Sequence, residues 1–184
     1  MALVLALVTS LLGFGALPGV ASSDRALCRE DCVTTYDAKP PDGQTGPFGI
    51  TAGPLSSEWF GWGDRIGRID KAGRLTAYDM PSSGAAVGWM TRTGKNTVWF
   101  LERDRGIVGR ITVMDGRLTT KKFHLPSRTA GPHGLVQTPD GAIWVTEQDV
   151  DKIARLDPKT GRVREFDVPS GDPLGLALGP DDAL

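Results

Sequence analysis

The sequence predicts an all-β fold, a partial β-propeller of about three four-stranded blades plus the first strand of a fourth. Three observations predict it. From Gly46 onward the chain repeats itself in steps of 39 to 46 residues; within a copy, apolar and polar residues alternate with a period of two; and 24 Gly and 13 Pro are spread along the chain rather than clustered. A step of that length belongs to propeller blades, solenoids or helical arrays. The period of two removes the helical arrays, because no stretch after residue 46 sustains the i, i+3, i+4 spacing of an amphipathic helix. Short strands joined by Gly and Pro turns, four to a repeat, make a blade.

At 184 residues, with 40% hydrophobic content and a net charge of −1, the chain is long enough for one domain with a core, and it lacks the charge bias of a nucleic-acid binder. Residues 1–21, MALVLALVTSLLGFGALPGVA, are uncharged and end in Pro18, Gly19 and small residues. That predicts a secretory signal cut after Ala21, and so a secreted or extracytoplasmic protein with no membrane span once the signal is removed. The run lacks a basic start, and its length just reaches the roughly 20 apolar residues of a bilayer span, so an uncleaved anchor is the alternative. Residues 22–45 form a linker holding both cysteines, Cys28 and Cys32 in CREDC. In an oxidising compartment a local disulfide is the plain reading, since a metal site needs at least two further ligands nearby.

The repeat occupies 46–184, with copies at about 46–82, 85–127 and 131–170 and the start of another at 172–184. Its anchors are Trp59, Trp99 and Trp144; Arg68, Arg110 and Arg155; Pro81, Pro126 and Pro169; Gly49, Gly88, Gly134 and Gly175. In the third copy AIWVTE, KIARLD and RVREFDV alternate around PDG and PKTG turns, which predicts strands at about 134–138, 142–147, 152–157 and 162–168. Tryptophans that recur at one place in every copy read as core, and the recurring arginines as stacking or inter-blade pairing. GKNT at 94–97 lacks the spacing of a phosphate loop and reads as a hairpin turn, and His124 in KKFHLP reads as exposed on an outer strand.

His133 is the odd residue. Aligned on the glycine that follows, its counterparts are Phe48, Val87 and Leu174. The first strand of a blade lines the central channel, and imidazole is the side chain suited to proton transfer near neutral pH. The bland alternative is a half-buried histidine hydrogen-bonded to the next blade.

The phrase P-x-G-(I/L)…P-D-G-x-(I/L)-W-x-x-E…I-x-R-(I/L)-D, clearest in GPHGLVQTPDGAIWVTEQDVDKIARLDPKTG, resembles the repeat of the streptogramin B lyases, also called virginiamycin B lyases, and of their wider propeller superfamily. The resemblance covers about 46–184. It implies a ring of seven blades, of which this sequence holds three and the first strand of a fourth. Two arrangements stay open: a fragment of a longer product, and several chains assembling into one ring.

The resemblance further implies a carbon–oxygen lyase that linearises cyclic ester peptides by elimination. In it a histidine removes a proton alpha to a carbonyl while Mg2+, held by acidic residues, polarises the substrate. On that pattern His133 is the catalytic residue, as base or as substrate-positioning histidine, because the family's second histidine phrase has Glu two places ahead of His where this chain has Gly131. Glu147, at the Trp-x-x-Glu place, is the implied metal ligand; Glu102 follows Trp99 in the same way, which also fits a purely architectural role. The implied partner is a small cyclic peptide. The competing reading is an exported, non-catalytic propeller that binds a protein, peptide or carbohydrate. A calcium-assisted lactonase is more distant, because the several acidic channel ligands it needs are not found.

Overall fold

The computed structural model describes residues 3–5, 34–38, 46–80, 84, 86–169 and 171–184. In the unit formed by residues 1–39, strand β1 (Leu3–Leu5) pairs antiparallel with β2 (Thr34–Tyr36). The cleavage region at Ala21 and the pair Cys28 and Cys32 lie outside the described residues. Among the described residues no helix is long and apolar enough to cross a membrane.

The second unit is all β. Blade one holds β3 (Pro47–Gly53), β4 (Ser57–Trp62), β5 (Arg65–Ile69) and β6 (Leu75–Asp79). Blade two holds β7 (Val87–Thr93), β8 (Thr97–Glu102), β9 (Ile107–Met114) and β10 (Arg117–His124). Blade three holds β11 (Pro132–Gln137), β12 (Ile143–Glu147), β13 (Lys152–Leu156) and β14 (Val163–Asp167). Each blade is an antiparallel meander in sequence order, as the short turns between alternating segments require. The only helical pieces among the described residues are three-residue 3-10 turns at Pro54–Ser56, Arg103–Arg105 and Gln148–Val150. Residues 94–96 form the expected hairpin turn, and His124 is exposed.

A blade has no core of its own; the apolar face of one sheet is buried against the next. Trp59, Ile66, Val87, Met90, Val98, Phe100 and Ile111 fill the space between blades one and two. Trp99, Leu101, Phe123, Leu135, Ile143, Val145 and Leu156 fill the space between blades two and three. Trp144, on the far face of blade three, is half-buried and stacks on Phe166 with ring centroids 5.6 Å apart. Each tryptophan stands directly across the ladder from its repeat arginine: Trp59 from Arg68, Trp99 from Arg110, Trp144 from Arg155. Residues 172–184, expected to begin a fourth blade, carry no ladder. A first strand bonds only to the second strand of its own blade, and the described residues include none for it.

The register corrects one sequence alignment. Ile50, Met90 and Leu135 stand opposite Phe60, Phe100 and Val145, so the three blades superpose on these pairs. On that frame the counterpart of His133 in blade two is Gly88, not Val87, and Trp89 takes the place of Gly49 and Gly134. Aligning on the shared glycine slips copy two by one residue, because the buried pairs, not the glycine, set the ladder.

Candidate functional site

The first strands of the three blades and residue 174 wall a cleft of about 440 Å3, lined by Phe48, Gly88, Trp89, Arg103, His133 and Leu174 among others. Two glycine places explain its shape. A side chain at Gly49 would meet the backbone of Gly88 and Trp89 at about 3 Å, and one at Gly134 would meet the Leu174 carbonyl at 2.6 Å, so at both places neighbouring inner strands approach closely. Blade two carries Trp89 there instead. Its indole is 51% exposed and lies with its ring centroid 5.8 Å from that of His133.

His133 is half-buried, and its Nδ1 lies 3.3 Å from the Leu174 carbonyl oxygen. A carbonyl only accepts, so in the neutral ring this contact puts the hydrogen on Nδ1 and leaves Nε2 with the lone pair. The same carbonyl accepts from Thr146 Oγ1 at 2.8 Å, and Thr146 Oγ1 in turn accepts from the Gly134 amide at 2.7 Å. The backbone either side of the imidazole is thereby fixed. Arg103 reaches from blade two to the Gly131 carbonyl (3.2 Å), Gln148 Oε1 (2.8 Å) and Asp149 Oδ1 (2.8 Å).

Glu147 stands elsewhere. It ends β12 opposite Pro132 on one side and Lys152 on the other, is fully buried, and is not among the residues lining the His133 cleft. Among the described residues neither carboxylate oxygen has a hydrogen-bond partner. Its sibling Glu102 is equally buried but is paired with Lys122 from β10. The place Lys122 holds in blade two, across from Gly109, is held in blade three by Glu165, across from Ala154. Burial, with the nearby Glu165 charge adding to it and Lys152 opposing, pushes the Glu147 carboxyl up to about 7. The two siblings therefore share a position and differ in chemistry, which recurrence in the sequence did not distinguish.

A hard cation such as Mg2+ needs several oxygen donors, some supplied by water and substrate. Among the described residues no group of three or more His, Cys, Asp or Glu is placed to hold a metal ion. Glu147 is one donor of the right kind and does not make such a site alone. Trp89, Thr146 and Arg103 are site residues that sequence reasoning missed. The one available signal was the spacing from Trp99 back to Trp89, which equals that from Trp144 back to Gly134.

Residues 27–184 match the model of the virginiamycin B lyase family. The chain is 33% identical over 81 residues to a virginiamycin B lyase of Nocardia farcinica, which is 44% of this chain and 28% of that protein. A solved streptogramin B lyase superposes with a TM-score of 0.64 at 36% identity, covering 74% of this chain and 45% of that one. A catalytically inactive variant of virginiamycin B lyase from Staphylococcus aureus, crystallised with quinupristin, superposes with a TM-score of 0.67 at 32% identity, covering 77% of this chain and 48% of its own. The chain thus spans less than half the length of each of these relatives.

Proposed function

The chain belongs to the virginiamycin B lyase family, and on that premise we propose that its His133 cleft is part of a site that opens cyclic ester peptides of the streptogramin B class by elimination. The observation that supports this reading is the tautomer that the Leu174 carbonyl imposes on His133 beside an exposed indole. Nε2 takes the proton from a carbon that is alpha to a carbonyl and beta to the ester oxygen. The electron pair forms a carbon–carbon double bond, the carbon–oxygen bond breaks, and the ring opens with a carboxylate at one end. Trp89 and Phe48 offer apolar surface to the peptide ring. A magnesium ion, if Glu147 contributes to holding it, requires further oxygen donors.

Elimination leaves the mass of the peptide unchanged, whereas ester hydrolysis adds one water. Incubating the full chain with quinupristin and separating the products by chromatography with mass detection tests the reading. It expects a ring-opened isomer of equal mass; a product heavier by one water contradicts it. The second reading, capture of the same kind of ligand without turnover, draws on one observation: apart from Arg103, His133 is the only ionisable side chain among those lining the cleft. Binding of quinupristin with no isomer formed supports that reading instead.

A further inference from the structure

A second cleft, also of about 440 Å3, opens between blades two and three at the other end of β11 from His133. Trp99, Arg110, Gln137, Asp140, Arg155 and Lys159 are among its walls. Size does not separate the two clefts; chemistry does.

The three repeat arginines act as controls for one another. Arg68 donates from Nε to Ser57 Oγ at 2.9 Å and from Nη1 to the Tyr78 hydroxyl at 3.3 Å. Arg155 donates from Nη2 to Asp140 Oδ2 at 2.6 Å. Arg110 lies with its Cζ 5.6 Å from the Trp99 ring centroid, and among the described residues its guanidinium has no hydrogen-bond or carboxylate partner. The carboxylates nearby are already engaged. Asp140 accepts from Arg155, Thr138 and the Ala142 amide, and Asp157 accepts from the Thr160 hydroxyl and the Lys159 and Thr160 amides. The Lys159 side chain, at the rim, likewise has no carboxylate partner among the described residues.

We propose that this inter-blade cleft is a binding site for a compact oxyanion, a carboxylate or a phosphate, held by the Arg110 fork with Lys159 at the rim. A guanidinium held over an indole face, with no other partner among the described residues, keeps its N–H fork available for two-point recognition of an oxyanion. The site is separate from the His133 cleft and does not depend on the lyase reading.

The test is NMR titration of the full chain with sodium phosphate and, separately, sodium acetate, at constant ionic strength set by chloride. The Arg110 Nε–H and the amides of Gly141 and Lys159 are followed. A saturating shift with either salt, weakened about tenfold or more in Arg110→Gln and also weakened in Lys159→Gln, is expected, since one charge-assisted hydrogen bond has that scale. Which salt saturates at lower concentration tells a carboxylate site from a phosphate site. Shifts that never saturate with either salt, or titrations unaltered in the variants, overturn the proposal. Lys159 lies on an exposed turn, so its variant reports even where Arg110→Gln fails to fold.

Discussion

Lys152 stands directly across the ladder from Glu147, yet it gives its ammonium hydrogen bond to Glu165 on β14, 2.8 Å away. The choice leaves Glu147 fully buried and, among the described residues, without a hydrogen-bond partner. Burial without a partner disfavours the charged form, so the folded chain keeps a proton on Glu147 up to about pH 7, whereas the unfolded chain releases it near the ordinary value of 4.5. Between those values the folded state binds the extra proton, and stability falls as pH rises; above the upper value the loss is complete.

Glu147→Gln removes that titration. Its stability relative to the parent chain is expected to rise steadily from about pH 4.5 to about pH 7 and to stay constant above, in urea unfolding measured across the range. A difference that does not change with pH contradicts the burial account. The same pair of proteins tests the metal role: if Glu147 is a ligand, Mg2+ at pH 8 stabilises the parent and leaves Glu147→Gln unmoved.

The cross-strand pairs in the blade cores are matched in size. Phe60 faces Gly67 and Phe100 faces Gly109, but Val145 faces Ala154. A methyl group on Gly109 would sit 2.0 Å from the Phe100 ring. Gly109→Ala is expected to destabilise by about 1–3 kcal/mol through overpacking. Phe100→Val in the same chain, which rebuilds the pair blade three uses, should recover part of that loss. Additive losses in the double variant, measured by denaturant unfolding, would show that the two residues do not compete for space.

Thr146 ties β11 to residue 174. Its hydroxyl accepts from the Gly134 amide and donates to the Leu174 carbonyl. Thr146→Val keeps the shape and removes both bonds, leaving a buried N–H unsatisfied, a change expected to cost about 1–3 kcal/mol. Hydrogen exchange at Gly134 should speed up in step. Unchanged exchange there means the hydroxyl does not hold the strand.

Much of the fold was legible because the signals are local. Alternation, PDG turns and the spacing of the tryptophans placed the third-blade strands to within two residues of where they stand, and put Trp59 and Trp99 in the core. What escaped depends on pairing. That Gly88, and not Val87, answers to His133 follows from Met90 facing Phe100, a ladder fact that one-residue drift in a repeat alignment hides. The isolation of Glu147 depends on which carboxylate Lys152 reaches and on Glu165 replacing a lysine two strands away, and neither is visible along the chain. His133 could be singled out from the sequence and Trp89 only through its spacing to Trp99, but Thr146 could not, since it looks like an ordinary strand residue until the blades are stacked.

The central claim, that His133 is the proton acceptor of the cleft, is tested most directly by the rate of mass-neutral opening of quinupristin by the full chain and its His133→Leu variant, alongside their thermal unfolding. Leu keeps the bulk and loses the lone pair. The account predicts a fall of about 10²-fold or more, the scale of a positioned acid–base group, with the unfolding temperature nearly unchanged. A His133→Leu chain that opens the ring at the parent rate, or one that loses activity only because it no longer folds, contradicts it.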